Sequence, residues 1–440
     1  MQEHKIPYGK GNLSFRLPDG LEVEVVAPPA APATPNPTCA VEAALTAPVG
    51  GVDLTDFRGN PTAAIAINDK TRPVPHQVLL PPLLRRLEGL GLPPKAIQLI
   101  IATGVHPPVT PEEYPRVVPQ EILDRYPVRC HDADDGENLV HLGTTSRGTP
   151  VWINRPFYEA DLRIVVGNIE PHQFQGYSGG VKSAAIGLAG RETINHNHAM
   201  MTDPRAQLGR FVGNPARQDV EEIGQRIGVH FALNAILNGE KEIVQAIAGA
   251  PSSVMETGIS LSREIHQVQA AADDVVAPFD RLRAGSFDLV IASPGGHPKD
   301  INLYQSQKAL AHASLVTRDG GTVILAAACP EGSGSRSYEA WMDGVHSYEE
   351  VFTRFQREDF RVGPHKAYQI ARDASRVRVF LISSMPPDLV RALLLIPMAS
   401  IQDALAVALA DLSTGAGVGI MPQASSTIPR AAWSTENVRW

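Results

Sequence analysis

Apolar and polar residues alternate with a period of two in LSFRL and LEVEVVA, within the first 27 positions, which predicts half-exposed strands. The Pro/Ala stretch APPAAPATPNPT that follows predicts a surface connection, and CAVEAALTAP one short helix. Compact apolar runs then alternate with amphipathic segments. TAAIAIND, AIQLIIATG and DLRIVVGNI read as buried strands, and HQVLLPPLLRRLEGLG as a helix between the first two. Further on, PARQDVEEIGQRIG predicts a helix, VHFALNAILNGEKEIVQAIAG a strand pair turning at Asn238-Gly239, and SSVMETGISLSREIHQVQAAA a longer helix. FDLVIASPGG opens a second series, continued by the predicted strands GTVILAAAC and VRVFLISS and the predicted helices QKALAHASLV, YEEVFTRFQ and SIQDALAVALADL. Near-continuous apolar strands separated by helices predict an α/β protein with mainly parallel sheets. The expected division is an N-terminal α/β domain over 1–270, a linker over 271–285, a C-terminal α/β domain over 286–420 and a loose tail over 421–440.

Composition narrows the function classes. Thirty-nine Lys and Arg against 47 Asp and Glu leave a formal charge of −8 over 440 residues, so no nucleic-acid partner is expected. No run of about 18 apolar residues predicts a membrane span, and the first residues lack a signal-peptide pattern. Cys39, Cys130 and Cys329 are scattered, which argues against a disulfide framework or a cysteine-based zinc site and fits a cytoplasmic protein.

The densest chemistry lies in GNIEPHQFQGYSGGVKSAAIGLAGRETINHNHAMM, residues 167–201. Its core GYSGGVKS resembles a phosphate loop, but Val181 stands where the nucleoside-triphosphate loop needs glycine. The weaker expectation is that glycine N–H groups at Ser178, Gly179 and Gly180 receive an anionic phosphate. His196 and His198 are candidate metal ligands, and two positions apart on a helix they point to different faces. His106 follows the strand IIATG and His172 the strand of IVVGNIEP, at the strand ends where open α/β sheets carry their sites. Imidazole is the side chain suited to proton transfer near neutral pH. Asp69-Lys70-Thr71-Arg72 ends another buried strand, with Arg72 a natural fork for a carboxylate. In the second series Gln305 and Lys308 lie three apart, on one helix face, and form a second candidate grip for a carboxylate.

Taken in order, NDKTRPVPHQVLLPPLL, ATGVHPP, IEPHQFQGYSGGVKS, RETINHNHAMM and SPGGHPKDINLYQSQKAL resemble the motifs of the nickel-dependent lactate racemase family. The resemblance runs from about residue 65 to 312. It implies two α/β domains with the active site in the cleft between them, and a racemase or epimerase acting on a 2-hydroxy acid, lactate-like or a sugar acid. It implies a nickel-pincer nucleotide cofactor (nickel pyridinium-3-thioamide-5-thiocarboxylic acid mononucleotide), attached covalently through Lys182 and supplied by cofactor-synthesis proteins. By the same resemblance His198 rather than His196 is the nickel ligand, and His106 and His172 are the acid/base pair. Arg72, Gln305 and Lys308 match the residues that hold the substrate carboxylate, and Asp69 a site aspartate of unassigned role. Val181 stands where relatives often carry a polar residue, which suggests an altered pocket. The implied chemistry is reversible hydride transfer with a 2-oxo acid intermediate: an α-hydrogen beside a carboxylate leaves more readily as hydride than as a proton. The contrasting readings are a phosphate-ligand binding module on the same scaffold and a metal hydrolase built on His172, His196 and His198.

Overall fold

The computed structural model describes residues 2–72, 74–266 and 287–428. The described residues form two compact units, one made by residues within 30–265 and the other by those up to 29 together with 266 and 287–428.

The first of these is built on a six-stranded sheet. Its order is Ile243–Gly249, Phe231–Leu237, Leu162–Asn168, Ala63–Asn68, Ile97–Ala102 and Val128–Cys130. All neighbours are parallel except the first two, the expected hairpin turning at 238–239. Residues 63–67 are buried without a break because both faces of the sheet are covered, which explains why the sequence shows a solid apolar run there instead of alternation. The apolar core gathers Ile65, Ile67, Leu99, Ile101, Ile164, Val166 and Leu233 from the strands with Leu79, Leu83 and Leu87 from the helix His76–Gly89. The helix Pro215–Ile227 follows its local signals: Asn214 caps it by accepting from the Arg217 N–H at 3.2 Å, and proline occupies the first helical position.

The second unit holds another six-stranded sheet, entirely parallel, in the order Ile396–Met398, Arg378–Ile382, Thr317–Ala326, Phe287–Ala292, Gly417–Met421 and Glu22–Val25. Two expectations are corrected here. Residues up to 29 do not join the domain that follows them in sequence. Glu22–Val25 is the edge strand beside Gly417–Met421, and the hairpin Gln2–Tyr8/Gly11–Leu17 adds Ile6, Phe15 and Leu17 to a core with Leu289, Ile291, Ile324, Phe380 and Ile420. A strand partner almost 400 residues away leaves no trace in local periodicity. Nor is 421–428 a loose tail. Met421 closes a strand, Ala424 and Ile428 are fully buried, and the Ala424 carbonyl accepts from His312 Nδ1 at 2.6 Å. The proposed linker 271–285, the end of the long helix beyond His266 and the tail residues 429–440 lie outside the described residues. Among the described residues no helix is long and apolar enough to cross a membrane, and all three cysteines are free.

Candidate active site

Three adjacent parallel strands, Leu162–Asn168, Ala63–Asn68 and Ile97–Ala102, end at one edge of the first sheet. Asp69 follows the middle one and is almost wholly buried. Its Oδ2 accepts from His106 Nδ1 at 2.7 Å, and its Oδ1 accepts from the Thr71 N–H at 3.0 Å and hydroxyl at 2.7 Å. Arg72, whose N–H bonds the Asp69 carbonyl, belongs to the same turn. Burial alone would raise the Asp69 carboxyl, but the charge and hydrogen bond of His106, with Arg72 and Thr71, outweigh it and hold it at about 2. A carboxylate can only accept, so the His106 proton sits on Nδ1 and Nε2 carries the lone pair of a base. The unassigned aspartate thus acquires a role: it orients His106, as the carboxylate of a catalytic triad orients its histidine.

The segment after Leu162–Asn168 forms a two-residue hairpin, Pro171–His172 against Gly176–Tyr177. Here His172 Nδ1 accepts from the backbone N–H of Gln175 at 3.2 Å. Neutral His172 therefore carries its proton on Nε2, the opposite arrangement to His106. Phe174 stands edge-on to both His172 and His198, with ring centroids 4.8 and 5.1 Å away. The loop so brings His172 and His198 around one aromatic ring. His196, on the other face of the helix Arg191–Ala199, bonds the Thr149 hydroxyl at 2.8 Å through Nδ1. The hydrolase reading needed three converging imidazoles, and His196 is turned away to Thr149.

Lys182 opens the four-residue helix Lys182–Ala185 over the same strand edge and is half-buried. A Cβ on Gly167 would come within 2.7 Å of Asn68 Oδ1 and 3.2 Å of Ser183 Oγ, so glycine lets this helix approach the strands. Gly187, just beyond it, accepts from the Gly104 N–H at 2.9 Å, two residues before His106. In the expected phosphate loop the Ser178 N–H donates to the Glu170 carbonyl at 2.8 Å and the Gly180 N–H to Asn234 Oδ1 at 2.7 Å, so these two N–H groups are engaged within the chain. Gly180, at φ 58°, is required because a Cβ would meet Met255 Cγ at 2.5 Å. Buried Arg217 clamps the loop by donating to the carbonyls of Tyr177 and Gly179. Val181 packs against Gly224 of the helix Pro215–Ile227, where a Cβ would meet Val181 Cβ at 2.5 Å.

In the other unit, Asn302 caps the helix Leu303–Val316 by accepting from the Gln305 N–H. Lys308 Nζ donates to Gln305 Oε1 at 2.9 Å, so the two expected carboxylate donors do share a helix face. Sequence reasoning missed Phe174, Asn197, Thr149 and Asp219. Only the His172-x-Phe174 spacing and the Asn197 between two histidines were visible signals.

The profile described as the lactate racemase N-terminal domain matches residues 8–209, and that of the lactate racemase C-terminal domain matches residues 282–428. The lactate racemase of Lactiplantibacillus plantarum is 32% identical over 301 residues, 68% of each chain. The chain belongs to the lactate racemase family. The lactate racemase of Thermoanaerobacterium thermosaccharolyticum is 29% identical over 439 residues, 98% of this chain and all of that one. The structure of its apoprotein superposes with a TM-score of 0.85 at 28% identity, covering 97% of this chain and 99% of the other. A crystal structure of a Thermotoga maritima protein, 19% identical with a TM-score of 0.65, shares the fold. A profile described as a domain of unknown function also matches residues 116–310. Among the described residues of this lactate racemase family chain no three His, Cys, Asp or Glu side chains cluster as a metal site. His198 offers one imidazole, whose Nδ1 bonds Asn197 Oδ1 at 3.2 Å.

Proposed function

We propose that the protein is a racemase or epimerase that inverts the hydroxyl-bearing carbon of a 2-hydroxy acid, lactate or a near relative, through a 2-oxo acid intermediate. The observation that carries this reading is the Asp69–His106 contact beside Arg72, a base and an anion fork at one strand edge, in a chain related to lactate racemases over nearly its whole length. Lys182 is the proposed covalent anchor of a nickel-pincer nucleotide and His198 its nickel ligand. When bound, that cofactor supplies the hydride acceptor. His106 takes the hydroxyl proton at Nε2, while Arg72, Gln305 and Lys308 hold the carboxylate. His172 presents an N–H at Nε2 to the substrate oxygen, and as the imidazolium, protonated at both nitrogens, it returns the Nε2 proton to that oxygen when the hydride adds to the other face, leaving neutral imidazole.

The test uses protein made together with the cofactor-synthesis proteins. Each enantiomer of lactate, deuterated at the α-carbon, is supplied in ordinary water. Inversion with the deuterium retained is expected. Wash-out of the label would overturn hydride transfer, and the absence of inversion across a panel of 2-hydroxy acids would overturn the reading itself. Intact mass should show one cofactor on the unaltered chain and none on Lys182→Ala.

A further inference from the structure

Asp219 is fully buried in the helix Pro215–Ile227, far in sequence from every residue named for the reaction. Its carboxylate is a hub. Oδ1 accepts from the Thr145 hydroxyl at 2.7 Å, and the Thr149 hydroxyl lies 3.0 and 2.9 Å from Oδ1 and Oδ2. Oδ2 also accepts from Asn197 Nδ2 at 2.9 Å. Asn197 is fully buried too, and its Nδ2 donates a second time, to the Ala216 carbonyl at 2.9 Å.

These bonds decide which way the Asn197 amide faces. Turned over, it would set its oxygen against a carbonyl and a carboxylate, two acceptors in a buried place. With Nδ2 fixed on that side, Oδ1 faces Gln175 Nε2 at 2.7 Å and His198 Nδ1 at 3.2 Å. An amide oxygen only accepts, so His198 must hold its proton on Nδ1. The lone pair then lies on Nε2, the nitrogen a metal would need. The same carboxylate treats the neighbouring histidine alike: the Thr149 hydroxyl gives its proton to Asp219 and so accepts from His196 Nδ1.

We propose that Asn197 and, behind it, Asp219 are positioning residues that hold His198 as its Nδ1–H tautomer, with Nε2 presented to the nickel. This rests on His198 being the metal ligand. It goes beyond that assignment, because in water an imidazole favours the other tautomer and an unaided ring would have to surrender its Nε2 proton on binding. Partners of this kind typically contribute 10–100-fold to metal affinity.

The first test needs neither metal nor turnover. In the full-length apoprotein with ¹⁵N-labelled histidine, at a pH where the rings are neutral, long-range ¹H–¹⁵N spectra report the tautomer. The His198 signals are identified by their loss in His198→Gln. We expect a protonated Nδ1 and a bare Nε2; a protonated Nε2 overturns the proposal. Asn197→Leu, which keeps size and removes the acceptor, should move the ring toward the Nε2–H form and raise nickel loss to a chelator from cofactor-loaded protein by 10–100-fold. An unchanged tautomer in that variant also overturns it. Should Asn197→Leu fail to fold, the tautomer of the unaltered chain decides alone. His198→Ala separates the two ideas: if it keeps its nickel, the ligand assignment fails whatever the tautomer. If it loses nickel while the unaltered ring is protonated at Nε2, only the positioning proposal fails.

Discussion

His106 and His172 follow two strands of one sheet that flank the strand Ala63–Asn68, yet they are gripped by different kinds of partner. His106 donates from Nδ1 to a buried carboxylate, and His172 accepts at Nδ1 from a backbone N–H. The first arrangement makes Nε2 a base and stabilises the imidazolium that forms when it takes a proton. The second makes Nε2 a donor, and protonating Nδ1 would break the bond from Gln175. Two histidines at equivalent places in a fold are therefore not equivalent groups. For His172 to serve as the base it must first give up a hydrogen bond whose net contribution is about 1 kcal/mol. The sequence suggested two matched bases; the geometry gives a base and a neutral hydrogen-bond donor in the resting protein.

Removing either imidazole tests this difference most strongly. His106→Asn and His172→Asn should each slow racemisation by about 10²–10⁴-fold. Rapid mixing with single enantiomers should show unequal half-reactions, with His106→Asn the more damaging to substrate oxidation. Equal damage from the two variants would erase the contrast.

The partners come next. Asp69→Asn keeps an acceptor for His106 but removes the charge that stabilises its imidazolium, and should lower kcat by about 10²-fold or more with cofactor loading unchanged. No side-chain change removes the bond at His172 Nδ1, because its donor there is a main-chain N–H. Gln175→Ala should leave turnover within about tenfold, provided His198 keeps its nickel. A large loss of turnover there, with nickel retained, would show that the His172 contact runs through the side chain.

Acid stability separates the two corners further. Asp69, held at about 2, is more acidic folded than unfolded, where a carboxyl titrates near about 3.9. Its contribution, about 2–3 kcal/mol, is complete above pH ~4 and is lost as pH falls through about 2. Buried His76 in the same unit is also shifted down, in its case by desolvation, to about 4. The unfolded chain takes up its proton near pH ~6.5, so stability declines from there down to about 4, by about 3 kcal/mol. Denaturant melts across pH 2–7 should show this decline blunted in His76→Gln and the lower one in Asp69→Asn.

The smallest effect belongs to His196. His196→Ala removes one hydrogen bond to Thr149 and should cost about 1 kcal/mol of stability while nickel stays bound. Nickel loss matching that of His198→Ala would return His196 to the site.

Much of this was legible beforehand. The buried runs at 63–68, 97–102 and 162–168 announced parallel strands because both sheet faces are covered, and the candidate residues were found where those runs stop. The glycine loop was ambiguous in the sequence because φ-permissive glycines serve an anion and a close packing contact equally well. Gly180 serves the contact, against Met255. The first 29 residues were assigned to the wrong unit because pairing across almost the whole chain has no local signature.

By itself, the sequence determined which elements form, that they build parallel sheets, and that histidines, a lysine and an arginine fork stand at strand ends. Periodicity encodes which face a residue occupies, and the motif order encodes kinship. Only the tertiary structure decided where the protons lie. Asp69 meets His106 across 37 residues, and Asp219 meets Asn197 across 22, at separations near 2.7–2.9 Å. A hydrogen bond requires its atoms to meet within a few tenths of an ångström, and only the packing of buried strands and helices against one another fixes positions that finely.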